Sequence, residues 1–297
     1  MTLTPGSTTH RRTLRWQAAR VLAVRDETPR ARTFRLALPQ PRRHLAGQHF
    51  VLRLTAPDGY TASRSYSVAS APDDSGEIEL TVEKFDGGEV SEFLHEVVVP
   101  GDDLEVRGPI GGFFAWSGDT PALLVGGGSG VVPLMAMLRQ ARRDGHPDLV
   151  RLAVSARSPA DLYYAEELPG PDTSVLYTRS APPGSRRPVG RLVVDDLVPL
   201  VRGGEDVDVC GTAGFADTAT AMLVEAGVPV GKIRVERFGP SGVVLFALVV
   251  TMTAVGGTAS ATTTPTATND VAPGPGWSTN RGWGTGHPGD PAGRPRR

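Results

Sequence analysis

Cysteine is almost missing from this 297-residue chain; Cys210 is the only one. An internal disulfide is therefore excluded, and so is an iron–sulfur cluster held by the chain's own thiolates, which takes several of them. Six histidines are scattered without the spacing of metal ligands, so no metal is expected. Net charge is lacking as well. Thirty-one basic side chains against 32 acidic ones leave −1, which argues against nucleic acid or a charged membrane surface as the main partner. Long apolar runs are absent too. The longest, 243–250, is far shorter than the roughly 20 residues that span a bilayer. No apolar stretch follows Arg11-Arg12, as a signal peptide would require. These absences point to a soluble cytoplasmic protein without a membrane partner, whose redox chemistry, if any, comes from an organic cofactor or another protein.

What is present falls into four stretches. Residues 1–15 read as a disordered lead-in. Residues 16–117 are rich in short alternating runs, at 18–24, 33–38, 49–54, 63–68, 77–83 and 103–107, separated by turn signals such as Pro57-Asp58-Gly59 and Pro100-Gly101-Asp102. This spacing predicts a small antiparallel β-barrel. Val90, Phe93, Leu94 and Val97 recur at helical spacing and predict one helix over 89–97. In 118–242 strand and helix alternate: strands at 122–125, 150–155, 207–210 and 232–236, a strand ending at Thr178, and helices at 132–143 and 217–226. That pattern predicts a Rossmann-like α/β domain, a parallel sheet covered on both faces. The Thr/Ala/Gly/Pro-rich tail 243–297 is too poor in apolar residues to fold alone.

Three local patterns carry candidate chemistry. In Arg64-Ser65-Tyr66-Ser67 a strand would place Arg64 and Tyr66 on one face. A guanidinium can fork onto phosphate oxygens, a tyrosine ring can pack on a flavin or its ribityl chain, and the Ser67 hydroxyl can donate to a ring nitrogen and steer electron density. The alternative is an edge strand with a solvated arginine. In Gly87-Gly88-Glu89-Val90-Ser91, glycines before a helix let backbone amides approach an anion, with the Ser91 hydroxyl added; a plain hairpin turn is the alternative.

The strongest pattern is Leu123 to Pro133, a buried strand running into Gly126, Gly127, Gly128, Ser129 and Gly130 before a helix start. A pyrophosphate can rest on such amides at the helix N-terminus. The third glycine comes one residue too early for the Gly-x-Gly-x-x-Gly spacing, which points away from common dehydrogenases. After the next strand come Arg157 and Ser158, and Arg179 follows a later strand. An arginine there suits the 2′-phosphate of NADPH, whereas an acidic residue would suit NADH.

In order and spacing these pieces resemble the ferredoxin–NADP⁺ reductase superfamily over about 16–242. The match includes Ala46-Gly47-Gln48-His49, Arg64 to Ser67, Gly88 to Ser91, Arg107-Gly108-Pro109-Ile110-Gly111, Gly126 to Pro133, Val209-Cys210-Gly211 and Glu236-Arg237-Phe238-Gly239-Pro240. The resemblance implies FAD in the barrel and NADPH or NADH on the second domain. It implies Arg64, Tyr66 and Ser67 around the flavin, Val90 and Ser91 near its pyrophosphate, and Gly128 and Ser129 under the nicotinamide dinucleotide. Cys210 and Gly211 would face the nicotinamide, and Glu236 to Phe238 would approach the flavin. Ser67, Cys210 and Glu236 are the candidate catalytic residues. Thr212 stands where the family usually has proline, which would loosen that loop.

The implied activity is hydride transfer from NAD(P)H to FAD, then electron transfer to an external acceptor: a ferredoxin, an oxygenase component or a molybdoenzyme. The alternatives are an NAD(P)H:flavin or small-molecule reductase without a protein partner, and a non-catalytic flavin-binding subunit.

Overall fold

The structure, a computed structural model, describes residues 14–168, 170–239 and 245–246. The expected lead-in up to residue 13 and nearly all of the tail after 242 lie outside the described residues.

The first half is built from β1 (Gln17–Thr28), β2 (Ala31–Ala37), β3 (His49–Thr55), β4 (Thr61–Ser67), β5 (Glu77–Glu83), α1 (Glu89–Glu96) and β6 (Asp103–Ile110). The strands form one antiparallel sheet in the order β4-β3-β6-β1-β2-β5. A bridge between Val68 and Leu80 joins the two outer strands and closes the sheet into a barrel. The alternating runs put Phe50, Leu52 and Leu54, Ile78, Leu80 and Val82, and Leu104 and Val106 inside. Val90, Phe93 and Leu94 of α1 bury into the same core, at the spacing that places them on one helix face. Full burial stabilises each such side chain by roughly 1.5–3 kcal/mol.

The second half contains β7 (Ala122–Gly127), α2 (Val131–Arg143), β8 (Val150–Ala156), β9 (Thr173–Tyr177), α3 (Val194–Leu197), β10 (Asp206–Thr212), α4 (Ala213–Glu225) and β11 (Ile233–Phe238). The order is β11-β10-β7-β8-β9, all parallel. From β7, Leu124 packs toward α2 and Leu123 and Val125 toward α4, so both faces are covered, as a parallel sheet requires. The chain leaves β7 for β8 on one side and returns through β10 on the other. The loops after β7 and β10 therefore diverge, which opens a crevice at the carboxyl ends of these strands.

Two elements differ from expectation. Helix α4 begins four residues early, because the Thr212 hydroxyl accepts a hydrogen bond from the Phe215 amide at 3.4 Å and caps it; Gly214 had made that stretch look like loop. The proline-to-threonine departure therefore anchors its loop. Leu245–Phe246, within the expected tail, forms β12, antiparallel to β11.

The two halves share one core. Ten of the 13 residues of α2 are buried. They pack with β8 on one side and with Ala46, Ala69, Phe114 and Trp116 on the other. At the edge of this junction Arg139 donates to Ala69 O at 2.9 Å and to Glu79 Oε2 at 2.8 Å, and its Nε reaches Glu167 Oε2 at 2.9 Å. Its guanidinium lies 4.9 Å over the Tyr164 ring. Tyr164 takes a left-handed conformation, φ 53°, which costs about 1–2 kcal/mol. Its hydroxyl bonds Thr81 Oγ1 at 2.7 Å and its amide bonds Glu27 Oε2 at 3.2 Å, which offsets that cost. Arg139→Gln removes the cation shared by the two halves, and the expected loss is about 2–3 kcal/mol of stability, read by urea unfolding.

Candidate active site

β4, β5, the loop leading to α1, the start of α2 and the end of β11 surround one open cleft with a cavity volume of about 150 Å³. Arg64, Ser65, Tyr66 and Ser67 line one wall, and Gly88, Val90 and Ser91 line the next. Ser129 and Phe238 reach it from the second domain. The two motifs that are more than 60 residues apart in sequence thus open on the same space.

Each wall has its own cause. On β4, Arg64 and Tyr66 pair with Leu52 and Phe50 of β3, so both point to the inner side at the barrel's open end. Tyr66 packs against the barrel core; burial pushes its phenol up, and the neighbouring Arg64 opposes this. Arg64 donates to Ser63 O at 2.8 Å and has no carboxylate partner among the described residues, so most of its donor fork is available. Ser67 is nearly buried and lines the cleft.

The α1 loop differs from its expected role. Gly88 N donates to Phe85 O at 2.9 Å and Gly87 N to Glu92 Oε1 at 2.8 Å. The Ser91 hydroxyl donates to Gly88 O at 2.9 Å and accepts from Phe85 N at 3.1 Å. The glycine amides and this hydroxyl are therefore committed within the loop. The first intrahelical bond is Glu92 N to Gly88 O, which leaves the amides of Glu89, Val90 and Ser91 without an intrahelical acceptor. Those amides are the donors an anion can use.

The loop after β7 holds two special glycines. Gly128 has φ +56°, a conformation that side chains with a Cβ rarely adopt. A Cβ on Gly130 would stand 2.2 Å from Cys210 O, so Gly130 lets the start of α2 approach the end of β10. Gly127 and Gly211 lie against the Phe215 ring. None of Gly127, Gly128, Gly130 or Gly211 lines the cleft itself; they shape its rim at the crevice between β7 and β10.

Cys210 and Glu236 are register partners on β10 and β11, 0% and 2% exposed. They lie one rung behind Phe238 and do not line the cleft. Burial pushes the Cys210 thiol well above its ordinary range, and the carboxyls of Glu236 and Asp208 add to this. Burial, with Asp208 nearby, pushes Glu236 up to about 8. At neutral pH the pair is thus an uncharged thiol beside an uncharged carboxylic acid.

Arg157, Ser158 and Arg179 are not part of the cleft. They follow β8 and β9, where Arg179 N donates to Arg157 O at 2.9 Å and both side chains are exposed. The Ser158 hydroxyl donates to Asp161 Oδ2 at 2.5 Å. Conversely, Thr81, Glu83, Phe85 and Val132 line the cleft without having been singled out. Thr81, Glu83 and Phe85 sit at alternate positions along and just past β5, a signal that could have found them.

The residues present fit an FAD: a largely free guanidinium, helix-start amides without an intrahelical acceptor, a tyrosine face and the apolar Phe238. The glycine loop at the sheet's crevice fits a dinucleotide.

Comparison with known proteins agrees. Residues 19–114 match the oxidoreductase FAD-binding domain family, and residues 124–221 match the oxidoreductase NAD-binding domain family. A ferredoxin–NADP reductase B from Sorangium cellulosum is 33% identical over 74% of this chain and 96% of its own length. The ferredoxin–NAD(P)⁺ reductase component of a naphthalene 1,2-dioxygenase system from Pseudomonas putida is 29% identical over 75% of this chain and 69% of its own. The chain spans 65% of an Acinetobacter pittii phenol hydroxylase P5 protein. Among solved structures, an Amycolatopsis cytochrome P450 reductase superposes with a TM-score of 0.64 at 26% identity, over 77% of this chain and 71% of that one. With both domains, their order and the cleft between them in agreement, this chain belongs to the ferredoxin–NADP⁺ reductase superfamily of flavin-dependent NAD(P)H oxidoreductases.

Proposed function

We propose that this protein takes hydride from NADPH onto FAD and passes the electrons to a separate redox protein, a ferredoxin or an oxygenase component. The observation that carries this reading is that the strand with Arg64, Tyr66 and Ser67 and the loop with Ser129 open on one cleft. FAD, when bound, supplies the capacity to accept a hydride and to release electrons singly or in pairs. The chain's residues bind, orient and shield. Arg64 and the amides of Glu89 to Ser91 hold phosphate oxygens. Tyr66 packs on the ring system or its ribityl chain. Ser67 donates a hydrogen bond to the ring. Gly128 and Ser129 would receive the nicotinamide dinucleotide, with Cys210 and Gly211 buried behind the rim of that site. Glu236 offers an uncharged carboxyl beside that wall, and Phe238 covers the cleft against water. Orientation of this kind lowers the barrier by several kcal/mol. No separate acid–base dyad is needed for the hydride step.

The preference for NADPH rests on Arg157 and Arg179, held side by side at the carboxyl ends of adjacent strands where a ribose 2′-phosphate would lie. The separate acceptor is supported by the relatives, several of which are reductase components of oxygenase systems.

Three measurements test this reading. Anaerobic addition of NADPH to the FAD-loaded protein bleaches its yellow colour faster than NADH does; a colourless protein that FAD cannot reconstitute sinks the proposal. Ser67→Ala slows flavin reduction about tenfold, the worth of one hydrogen bond, and changes FAD affinity less; equal rates in stopped-flow mixing refute the role given to Ser67. Replacing both Arg157 and Arg179 by Ala raises KM for NADPH about tenfold or more with little change for NADH, in steady-state assays with a dye acceptor.

A further inference from the structure

The face of the sheet that carries Cys210 and Glu236 is arranged as a ladder of register pairs between β10 and β11. Asp206 and Lys232 make the first link, an ion pair just ahead of the paired residues with Nζ 3.0 Å from Oδ1. Asp208 and Arg234 form the second, with Nε 2.7 Å from Oδ1 and Nη2 2.8 Å from Oδ2. Cys210 and Glu236 form the third, and Thr212 and Phe238 the fourth, where Phe238 lines the cleft. The first two rungs pair an acid with a base. On the third the pattern breaks: the acid faces a thiol instead of a base, and Glu236 Oε2, like Asp208 Oδ1 and Arg234 Nε, has no hydrogen-bond partner among the described residues.

Arg234 is two residues from Glu236 on the same strand and the same face. A free guanidinium there could swing onto the Glu236 carboxyl and ionise it. It is held elsewhere. Two of its nitrogens lie on Asp208, which is fully buried, and Nη1 donates to Ala115 O at 3.2 Å. The other groups facing Glu236 supply no cation among the described residues. Leu124 and Gly126 of β7 are the register partners of Asp208 and Cys210, and Phe246 of β12 pairs with Glu236 itself. Asp206 is engaged with Lys232, and its other oxygen lies 3.9 Å from Arg234 Nη2, a longer contact than those Arg234 makes to Asp208.

We propose that Asp208 is a positioning residue that captures Arg234 and thereby keeps Glu236 uncharged beside the nicotinamide site. The role of Glu236 at that site rests on the function proposed above; the capture itself does not. An uncharged carboxyl can donate a hydrogen bond to a carboxamide and does not oppose the approach of a negatively charged dinucleotide. Burial pushes Asp208 up to about 6 against the pull of Arg234, so it is ionised at neutral pH while Glu236 is not, and its charge adds to the upward shift of Glu236.

The test is an infrared pH titration of the full-length, FAD-loaded protein. The carboxylic-acid carbonyl band of Glu236 is assigned by its loss in Glu236→Gln. In the wild type it disappears near pH 8. In Asp208→Asn the released Arg234 reaches Glu236, and the midpoint falls by about 1–3 pH units. In the double variant Asp208→Asn, Arg234→Gln no cation is left, and the midpoint returns to within about one unit of the wild type. An unchanged midpoint in Asp208→Asn overturns the proposal. So does a midpoint in the double variant displaced by more than about one unit from the wild type, a criterion that decides the matter if Asp208→Asn does not fold. The pH dependence of flavin reduction by NADPH follows the same order of variants. A protein that NADPH does not bleach defeats the proposed function, and the infrared midpoints still decide the capture of Arg234.

Discussion

Helix α2 is apolar around most of its circumference, and a helix of that kind is stable only when it is buried on more than one side. Its own sheet covers one side. Ala46, Ala69, Phe114 and Trp116 cover another, so the barrel is docked by the same hydrophobic burial that folds the second domain. The consequence is positional. Ser129 and Val132, at the start of α2, are carried to the open end of the barrel, where Tyr66 and Ser67 are waiting. Two ligand-binding motifs share a cleft because one helix cannot leave either surface. Gly130 completes this arrangement, since a side chain there would strike the Cys210 carbonyl and push the helix start away.

Polar groups at the junction refine what burial begins. Arg139 spans both halves through Glu79 and Glu167, and Tyr164 accepts an unfavourable backbone conformation to reach Thr81 and Glu27. These bonds are directional where the apolar contact is not, so they set the angle between the halves. Thr81 also lines the cleft, which connects the junction to the site through one side chain.

Charge is graded from the cleft into the sheet behind it. Arg64 stands with a largely free donor fork at the barrel's open end, ready for an anion. Along β10 and β11, by contrast, charge is cancelled rung by rung and then vanishes at Cys210 and Glu236. Low dielectric and the lack of a nearby cation both favour the neutral forms there. The loop before α1 is preorganised as well: the hydroxyl of Ser91 and the amides of Gly87 and Gly88 are used to hold the loop itself.

The alternating runs determined the barrel strands, and the switch to strand–helix alternation determined the parallel sheet, because both depend on periods that are written locally. Arg64 to Ser67 and Gly126 to Gly130 were legible for the same reason: each lies within one strand or one turn. The start of α4 was less legible, since Gly214 looks like loop until the Thr212 cap is seen. What no local pattern could decide was which residues meet. Thr81, Glu83 and Val132 enter the cleft only through strand order and domain docking. The glycine amides before α1 proved to be spent inside their loop, a matter of bond geometry. The ladder from Asp206 to Phe238 exists only because β10 and β11, separated by helix α4, pair in one particular register. A one-residue slip would send every side chain of the strand to the other face. The sequence by itself determined the elements and the chemistry available to them; the tertiary structure decided which charges cancel, and so left Glu236 without one.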